Sequence, residues 1–191
     1  MKKITILFVV CALLLGAVVA QAENMVSITP RLAYNYANDG DTRDYLGNTF
    51  GVLVDVSVLR LPIGFEVGYM AGSKTADDKS ILGDFERKGK YYEIPIMATY
   101  KHNLLAGLYV KAGMGVSIKR TELDYSFDDI YNDAKEKVND TNFAYKLGVG
   151  YKFTQNITAE AFYYDSGKTE LEDLHWEGKG RYLQFDLGIT F

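Results

Sequence analysis

The chain has 191 residues and a formal net charge of −4 at pH 7, with 15 Tyr, 10 Phe and 18 Gly but only 3 Pro. This length fits a single domain, and the acidic balance argues against a protein that binds nucleic acid. Beyond residue 22 no stretch reaches the roughly 18 consecutive apolar residues that a membrane helix needs. If the protein resides in a membrane, it must therefore cross it with strands.

The N-terminus has the pattern of a cleavable export signal. Lys2-Lys3 forms a short basic region, and an almost wholly apolar run follows it. The tripeptide Ala20-Gln21-Ala22 has the small-x-small form that signal peptidases cleave, so the mature chain is expected to begin at Glu23. A retained membrane helix is the alternative, but the apolar run is short and no basic stop-transfer flank follows it.

Two parts of the chain are therefore distinguished: residues 1–22 as a signal peptide and residues 23–191 as one mature domain. Cys11 is the only cysteine and would be removed with the signal. An exported protein without disulfides must draw its stability from its fold.

The mature chain is dominated by alternation of apolar and polar residues, which is typical of strands with unlike faces. Eight segments show it, at lengths close to the roughly 9–11 residues with which a tilted strand crosses a bilayer. We predict strands at Val26–Tyr36, Phe50–Val58, Ile63–Ala71, Tyr92–Tyr100, Leu108–Ile118, Phe143–Phe153, Ile157–Tyr163 and Tyr182–Phe191.

The connections between these segments alternate between short and long. The short ones are Arg60-Leu61-Pro62, His102-Asn103-Leu104 and Thr154-Gln155-Asn156. The long, polar ones are Asn38–Gly47, Thr75–Gly89, Thr121–Asp140 and Thr169–Lys179. Short turns at one end and long loops at the other are typical of outer-membrane barrels, whose turns are periplasmic and whose loops are extracellular. An even number of strands then places both mature termini in the periplasm.

The distribution of charge distinguishes a membrane barrel from a soluble, lipocalin-like barrel with the same number of strands. One face of the strands carries nearly no charge, so it can face lipid. The opposite face carries ten charged residues: Arg31, Asp55, Glu66, Glu93, Lys101, Lys111, Lys146, Lys152, Glu160 and Asp186. Unpaired charges in an apolar pocket are costly. We therefore predict an all-β fold, an eight-stranded antiparallel up-and-down transmembrane β-barrel.

Aromatic residues gather near both ends of the predicted strands, as expected for rings that favour the two membrane interfaces. Near the loop ends lie Tyr34, Tyr36, Phe50, Tyr69, Tyr92, Phe143 and Tyr145. Near the turn ends lie Phe65, Tyr100, Tyr151, Phe153 and Phe191.

On these features the mature chain resembles the small OmpA/OmpX-type outer-membrane barrels of Gram-negative bacteria, including the Ail- and Opa-like surface proteins. The final strand, from Tyr182 to Phe191, is similar to the assembly signal of that family, with a terminal Phe after alternating apolar residues. The resemblance implies insertion by the outer-membrane assembly machinery, which would recognise Phe191, and contact with outer-membrane lipid and lipopolysaccharide.

The ten inward charges comprise five basic and five acidic residues. Such a balance favours a salt-bridge network that fills the barrel, because an eight-stranded barrel is just wide enough for side chains to fill. Inward glycines would leave room for larger residues such as Tyr109, Phe162, Tyr164 and Tyr182. A selective ion path is the alternative interpretation, but a pore lined for ions of one sign should not be neutral.

The long loops are the predicted functional surface. Asp124, Asp128, Asp129 and Asp133 lie in one acidic loop, without the spacing of an ordered calcium loop, so we predict no metal site and no cofactor. In the same loop Tyr125, Phe127, Ile130 and Tyr131 suit contact with an extracellular protein or glycan, or packing on the rim.

An enzymatic role would need a nucleophile or activated water with a base. The sequence offers two histidines, His102 in a short turn and His175 in the last loop beside Trp176. The hydroxyls nearest to His175 in sequence are Thr169 and Ser166. No catalytic residues are assigned, and the chain is predicted not to be an enzyme.

The sequence therefore favours a surface-exposed structural or interaction protein, adhesin-like, that acts through its four long loops. A narrow ion or small-solute channel is the second hypothesis. A lipid A-modifying enzyme is the third.

Overall fold

The strands of the protein pair in chain order and close into a barrel. The computed structural model describes residues 26–58, 61–80, 83–127, 134–171 and 176–191. Neighbouring strands are antiparallel, and the first pairs with both the second and the last. The strands are β1 (Val26–Ala37), β2 (Thr49–Val58), β3 (Ile63–Ser80), β4 (Gly83–Leu105), β5 (Leu108–Phe127), β6 (Ala134–Lys152), β7 (Ile157–Leu171) and β8 (Trp176–Ile189). The predicted number and order of strands are confirmed, whereas the predicted signal peptide lies outside the described residues.

The outer surface of the barrel is apolar and its interior is polar. Leu147 and Leu187 are 62% and 54% exposed, whereas Lys111 and Lys146 are 1% and 2% exposed. A soluble barrel would show the reverse arrangement. The predicted assignment of the two faces is thereby confirmed, and the lipocalin-like alternative is excluded.

Aromatic rings form neighbouring pairs at both ends of this apolar band. At the loop end the ring centroids of Tyr34 and Phe50 are 4.7 Å apart. At the turn end those of Tyr151 and Phe153 are 5.0 Å apart. The two predicted aromatic belts are present.

The long connections differ from the prediction, because three of the four are mainly continuations of the sheet. Pairing of β3 with β4 continues to Ser80 and Gly83, pairing of β5 with β6 continues to Tyr125 and Ala134, and pairing of β7 with β8 continues to Leu171 and Trp176. The predicted loops are therefore largely strand at Thr75–Gly89, Thr121–Asp140 and Thr169–Lys179. Beyond the bilayer both faces of a hairpin meet water, so the apolar–polar alternation stops although backbone pairing continues.

The first long connection contains a short helix, α1 (Gly40–Tyr45). Asp39 caps its N-terminus, because its Oδ2 accepts hydrogen bonds from the backbone N and the hydroxyl of Thr42, both at 3.1 Å. After the helix, Leu46 packs against Tyr91 and Leu123, and all three are buried. This contact closes the barrel at its loop end.

No helix among the described residues is both long and apolar enough to span a bilayer.

Candidate functional site

The middle of the barrel is filled by an interior ion-pair cluster, which comprises Arg31, Asp55, Glu66, Lys111, Lys146 and Glu160. Arg31 Nη2 lies 3.0 Å from Asp55 Oδ2. Lys111 pairs with the same oxygen of Asp55 and lies 3.1 Å from Glu66 Oε2. All four of these residues are buried, so the predicted salt-bridge network lies inside the barrel.

Glu66 and Glu160 join strands on opposite sides of the barrel. Lys146 Nζ donates to Glu66 Oε1 at 2.5 Å, which connects β6 to β3. Arg31 pairs with Glu160, which also accepts a 2.5 Å hydrogen bond from the Tyr109 hydroxyl. Each carboxylate of the cluster therefore meets at least one buried cation, as buried charges require.

A second polar cluster, centred on Glu93, lies nearer the loop end. The hydroxyls of Tyr91 and Ser117 donate to Glu93 at 2.8 and 2.5 Å, and Tyr164 donates as well. Tyr182 stacks on Tyr164 with ring centroids 6.1 Å apart. Hydroxyl donors thus satisfy this buried carboxylate, and the rings fill the lumen around it.

Inward glycines make room for this filling. A Cβ atom on Gly150 would overlap the ring of Tyr109, and one on Gly148 would lie 2.6 Å from Cδ1 of Phe162. The predicted pairing of small residues with large ones is confirmed. The ring of Phe162 also lies 4.3 Å from Lys146 Nζ.

Three residues differ from the predicted set of interior charges. Lys101 is half-buried and Lys152 is exposed, and both line a cavity at the turn end instead of joining the ion-pair cluster. Lys119 is fully buried and donates a 2.8 Å hydrogen bond to the Gly167 carbonyl. Lys119 can be identified from the sequence as an inward residue, because the alternation in β5 continues one residue beyond the predicted strand end at Ile118.

The cavity at the turn end has a volume of about 490 Å³. Arg31, Asp55 and Lys111 of the ion-pair cluster line it, together with Lys101 and Lys152. The sequence did not predict this cavity, because its existence depends on which side chains leave the space at the turn end of the barrel unfilled.

At the loop end, β3 to β6 continue past the apolar band as a projecting sheet, defined here as residues 72–80, 83–91, 119–127 and 134–142. One row on its outer face places Lys90, Glu122 and Lys137 opposite one another on neighbouring strands. Arg120 Nε donates a 2.8 Å hydrogen bond to Glu122 Oε1, which lowers the pKa of that glutamate and favours its ionised form.

One edge of the projecting sheet is open. β6 pairs with β5 as far as Ala134, but its pairing with β7 stops at Tyr145 and Asp165. β7 has a register shift between Asp165 and Lys168, where Gly167 has a φ of 77°. Gly167 and Lys168 still contact Asn142 of β6, but β6 from Ala134 to Thr141 has no strand partner on that side within the described residues.

The residues considered for metal binding and catalysis are not brought together. No cluster of His, Cys, Asp or Glu suited to a metal ion occurs in the part of the chain that the structure describes. Ser166 and Thr169 are buried, and His102 is exposed at the turn end. The remaining candidates lie outside the described residues or have side chains that the structure does not describe: Tyr125, Phe127, Asp128, Asp129, Ile130, Tyr131, Asp133, His175 and Trp176.

A closed eight-stranded barrel with an apolar outer band, aromatic belts and a polar, filled interior defines a small outer-membrane barrel. Residues 7–191 match the family model described as the outer membrane protein beta-barrel domain. The chain therefore belongs to this family of outer-membrane proteins. No curated protein matches it.

Solved structures agree on the fold. A major outer membrane protein from Thermus thermophilus has a TM-score of 0.56 at 13% identity, covering 87% of this chain and 99% of that one. OprG from Pseudomonas aeruginosa gives 0.52 at 14% identity, over 88% and 96%. Ail, the attachment invasion locus protein of Yersinia pestis, gives 0.50 at 16% identity, over 87% and 97%. At such identities the likeness shows the fold alone.

Proposed function

We propose that this outer-membrane barrel is a surface interaction protein whose projecting sheet pairs with an extended segment of an extracellular protein. The observation that carries the proposal is the open edge of β6, where backbone groups from Ala134 to Thr141 face no strand of the described chain. An extended peptide can add to such an edge through main-chain hydrogen bonds, and side chains at alternate positions then give specificity.

The charges along this edge indicate the chemistry of the partner. Glu136, Val138 and Asp140 share one face of β6, because they are two residues apart. Asp140 Oδ2 is buried and accepts no hydrogen bond from the described residues. Opposite charges on directly facing strands stabilise a pair, so the preferred segment carries basic residues on either side of a small apolar one.

A peptide with Lys, Val and Lys at alternate positions and Thr between them tests this proposal. We expect it to slow amide hydrogen exchange between Ala134 and Thr141 of the refolded barrel, and Asp140→Lys to abolish that protection. Peptides with Glu in place of Lys, or with Pro in place of Thr, are the matched controls. Absence of protection, or equal protection by the proline peptide, would overturn the proposal.

The loop end is proposed to face the cell exterior, with both mature termini in the periplasm. In this orientation Arg120 lies directly opposite the aromatic residue Tyr92, and Lys90 and Lys137 lie in the row two residues beyond it, at the level of lipid headgroups. Arginine and lysine at this level suit the phosphates of lipopolysaccharide. We also propose that a signal peptidase cleaves the chain after Ala22 and that the outer-membrane assembly machinery recognises Phe191.

The channel and enzyme alternatives have separate tests. An ion crossing the barrel would have to displace the buried pairs of Lys111, so we expect no discrete conductance steps in planar bilayers. Mass spectrometry of lipid A from expressing cells should show no change, because Ser166 and Thr169 are buried. Steps of reproducible size, or a modified lipid A, would favour the respective alternative.

A further inference from the structure

The turn-end cavity has a wall rich in hydroxyl groups and a charged floor. Arg31, Lys111 and Asp55 form its floor, as part of the ion-pair cluster. Six hydroxyl side chains, contributed by β1, β2, β4, β7 and the C-terminal end of the chain, also line it: Ser27, Thr29, Ser57, Thr99, Thr158 and Thr190. Such a lining can donate and accept several hydrogen bonds at once.

Two lysines add positive charge to the same cavity. Lys101 and Lys152 both line it, and neither has an ion-pair partner among the described residues. Lys101 Nζ is held 3.9 Å from the ring centroid of Tyr109. Lys101 faces Lys111 on β5, which faces Gly148 on β6, so Lys152 lies four residues farther along β6 than the row of Lys101. The Tyr109 ring lies against Gly150, two residues before Lys152. Lys101 Nζ, which lies over this ring, is therefore brought toward Lys152, and both ammonium groups can contact one small anion.

The charged floor of the cavity is already paired. Arg31 and Lys111 both contact Asp55, and the remaining polar atoms of Arg31 and Asp55 that lack a hydrogen-bond partner in the described part of the chain are closed off from the open space of the cavity. A ligand would therefore meet the two lysines and the hydroxyl groups of the wall.

We propose that this cavity binds a phosphorylated polyol, with its phosphate between Lys101 and Lys152 and its hydroxyls hydrogen-bonded to the Ser and Thr side chains of the wall. A phosphate offers several acceptor oxygens, so it can bridge two ammonium groups. The ligand is either a soluble glycerol phosphate or the phosphoglycerol headgroup of a lipid, which carry the same chemistry.

The test is calorimetric titration of the refolded barrel, in zwitterionic lipid nanodiscs, with glycerol 3-phosphate. We expect saturable binding, and about a tenfold weaker affinity for Lys101→Met and for Lys152→Met, which corresponds to about 1.4 kcal/mol each. Lys179→Met is the matched control, because Lys179 is exposed at the opposite end of the barrel. Ser57→Ala, which removes one hydroxyl of the wall and keeps the charge, should also weaken binding.

Further titrations distinguish the two sources of the ligand and define the results that would contradict the proposal. Weaker apparent affinity in nanodiscs that contain phosphatidylglycerol would identify a lipid headgroup, and unchanged affinity would identify a soluble ligand. The proposal is overturned if binding does not saturate, if Lys179→Met weakens it as much as the cavity variants, or if inorganic phosphate binds equally well. None of these measurements depends on the peptide-binding edge.

Discussion

At the residue scale, Val149→Arg tests the lipid-facing assignment. Val149 is 51% exposed in the middle of β6, so an arginine there would meet acyl chains and should cost about 2–4 kcal/mol. Gln155→Arg, in an exposed turn of the same hairpin, is the control and should be nearly neutral. Urea unfolding from lipid vesicles measures both; equal stabilities would contradict the assignment.

The two faces of each strand were predictable because lipid and the polar lumen select opposite residue types. The partners of the interior charges were not predictable. Lys146 and Glu66 meet from strands far apart in the chain, and that contact depends on the stagger of the closed barrel. The residue types of the ion-pair cluster were thus evident from sequence, whereas its geometry was not.

The sequence alone suggests Gly150→Ser as a mild interior counterpart of Val149→Arg, since its side chain would enter the polar lumen. The ring of Tyr109 occupies that space, so even a small side chain at this position must displace it. Gly150→Ser is therefore not a neutral control.

Lys111→Met tests the ion-pair cluster. This substitution leaves Asp55 and Glu66 with fewer cations in a buried site, and breaking such a pair costs about 3–5 kcal/mol. Adding Asp55→Asn to Lys111→Met should recover part of the loss, because Arg31 and Lys146 then remain paired with Glu160 and Glu66. The same vesicle unfolding measures the single and double variants. A double variant less stable than Lys111→Met would contradict this account.

At the element scale, the sequence located the strands within the bilayer but not their continuation beyond it. After Ile118 the outward-facing residues of β5 are no longer apolar, although pairing with β6 continues to Tyr125. Helix α1 was also missed, because its six residues are too few for a periodic pattern.

Asp39→Ala tests how far α1 depends on its cap. Loss of the hydrogen bond to the Thr42 backbone should destabilise the helix by about 1 kcal/mol. Hydrogen exchange within α1 should therefore accelerate, while the strands that span the bilayer remain protected. Asp39→Ser retains a capping oxygen and should restore slow exchange. Faster exchange throughout the barrel would show that the helix is not a local unit.

At the scale of the whole molecule, Phe191 lies at the junction where the barrel closes. Its backbone N donates a 2.9 Å hydrogen bond to the Ile28 carbonyl, and its ring is exposed to lipid. Phe191→Ala should lower the yield in the outer membrane more than it lowers the thermal stability of refolded protein, because it removes the proposed assembly signal. Phe153→Ala removes a comparable lipid-facing ring at the turn end and is the control. Equal yields for wild type and Phe191→Ala in membrane fractions would refute this role.

The projecting sheet extends beyond the apolar band. The projecting part of β5 continues from Ile118, which is exposed in the apolar band, to the end of the strand at Phe127. At roughly 3.3 Å per residue and a tilt of about 40°, this part of the strand rises on the order of 20 Å. In the proposed orientation, the open edge of β6 begins at Thr141, opposite Ile118, and its far end at Ala134 stands a comparable distance above that level. A bulky partner on another cell could then reach the edge without displacing the sugars that surround the barrel wall.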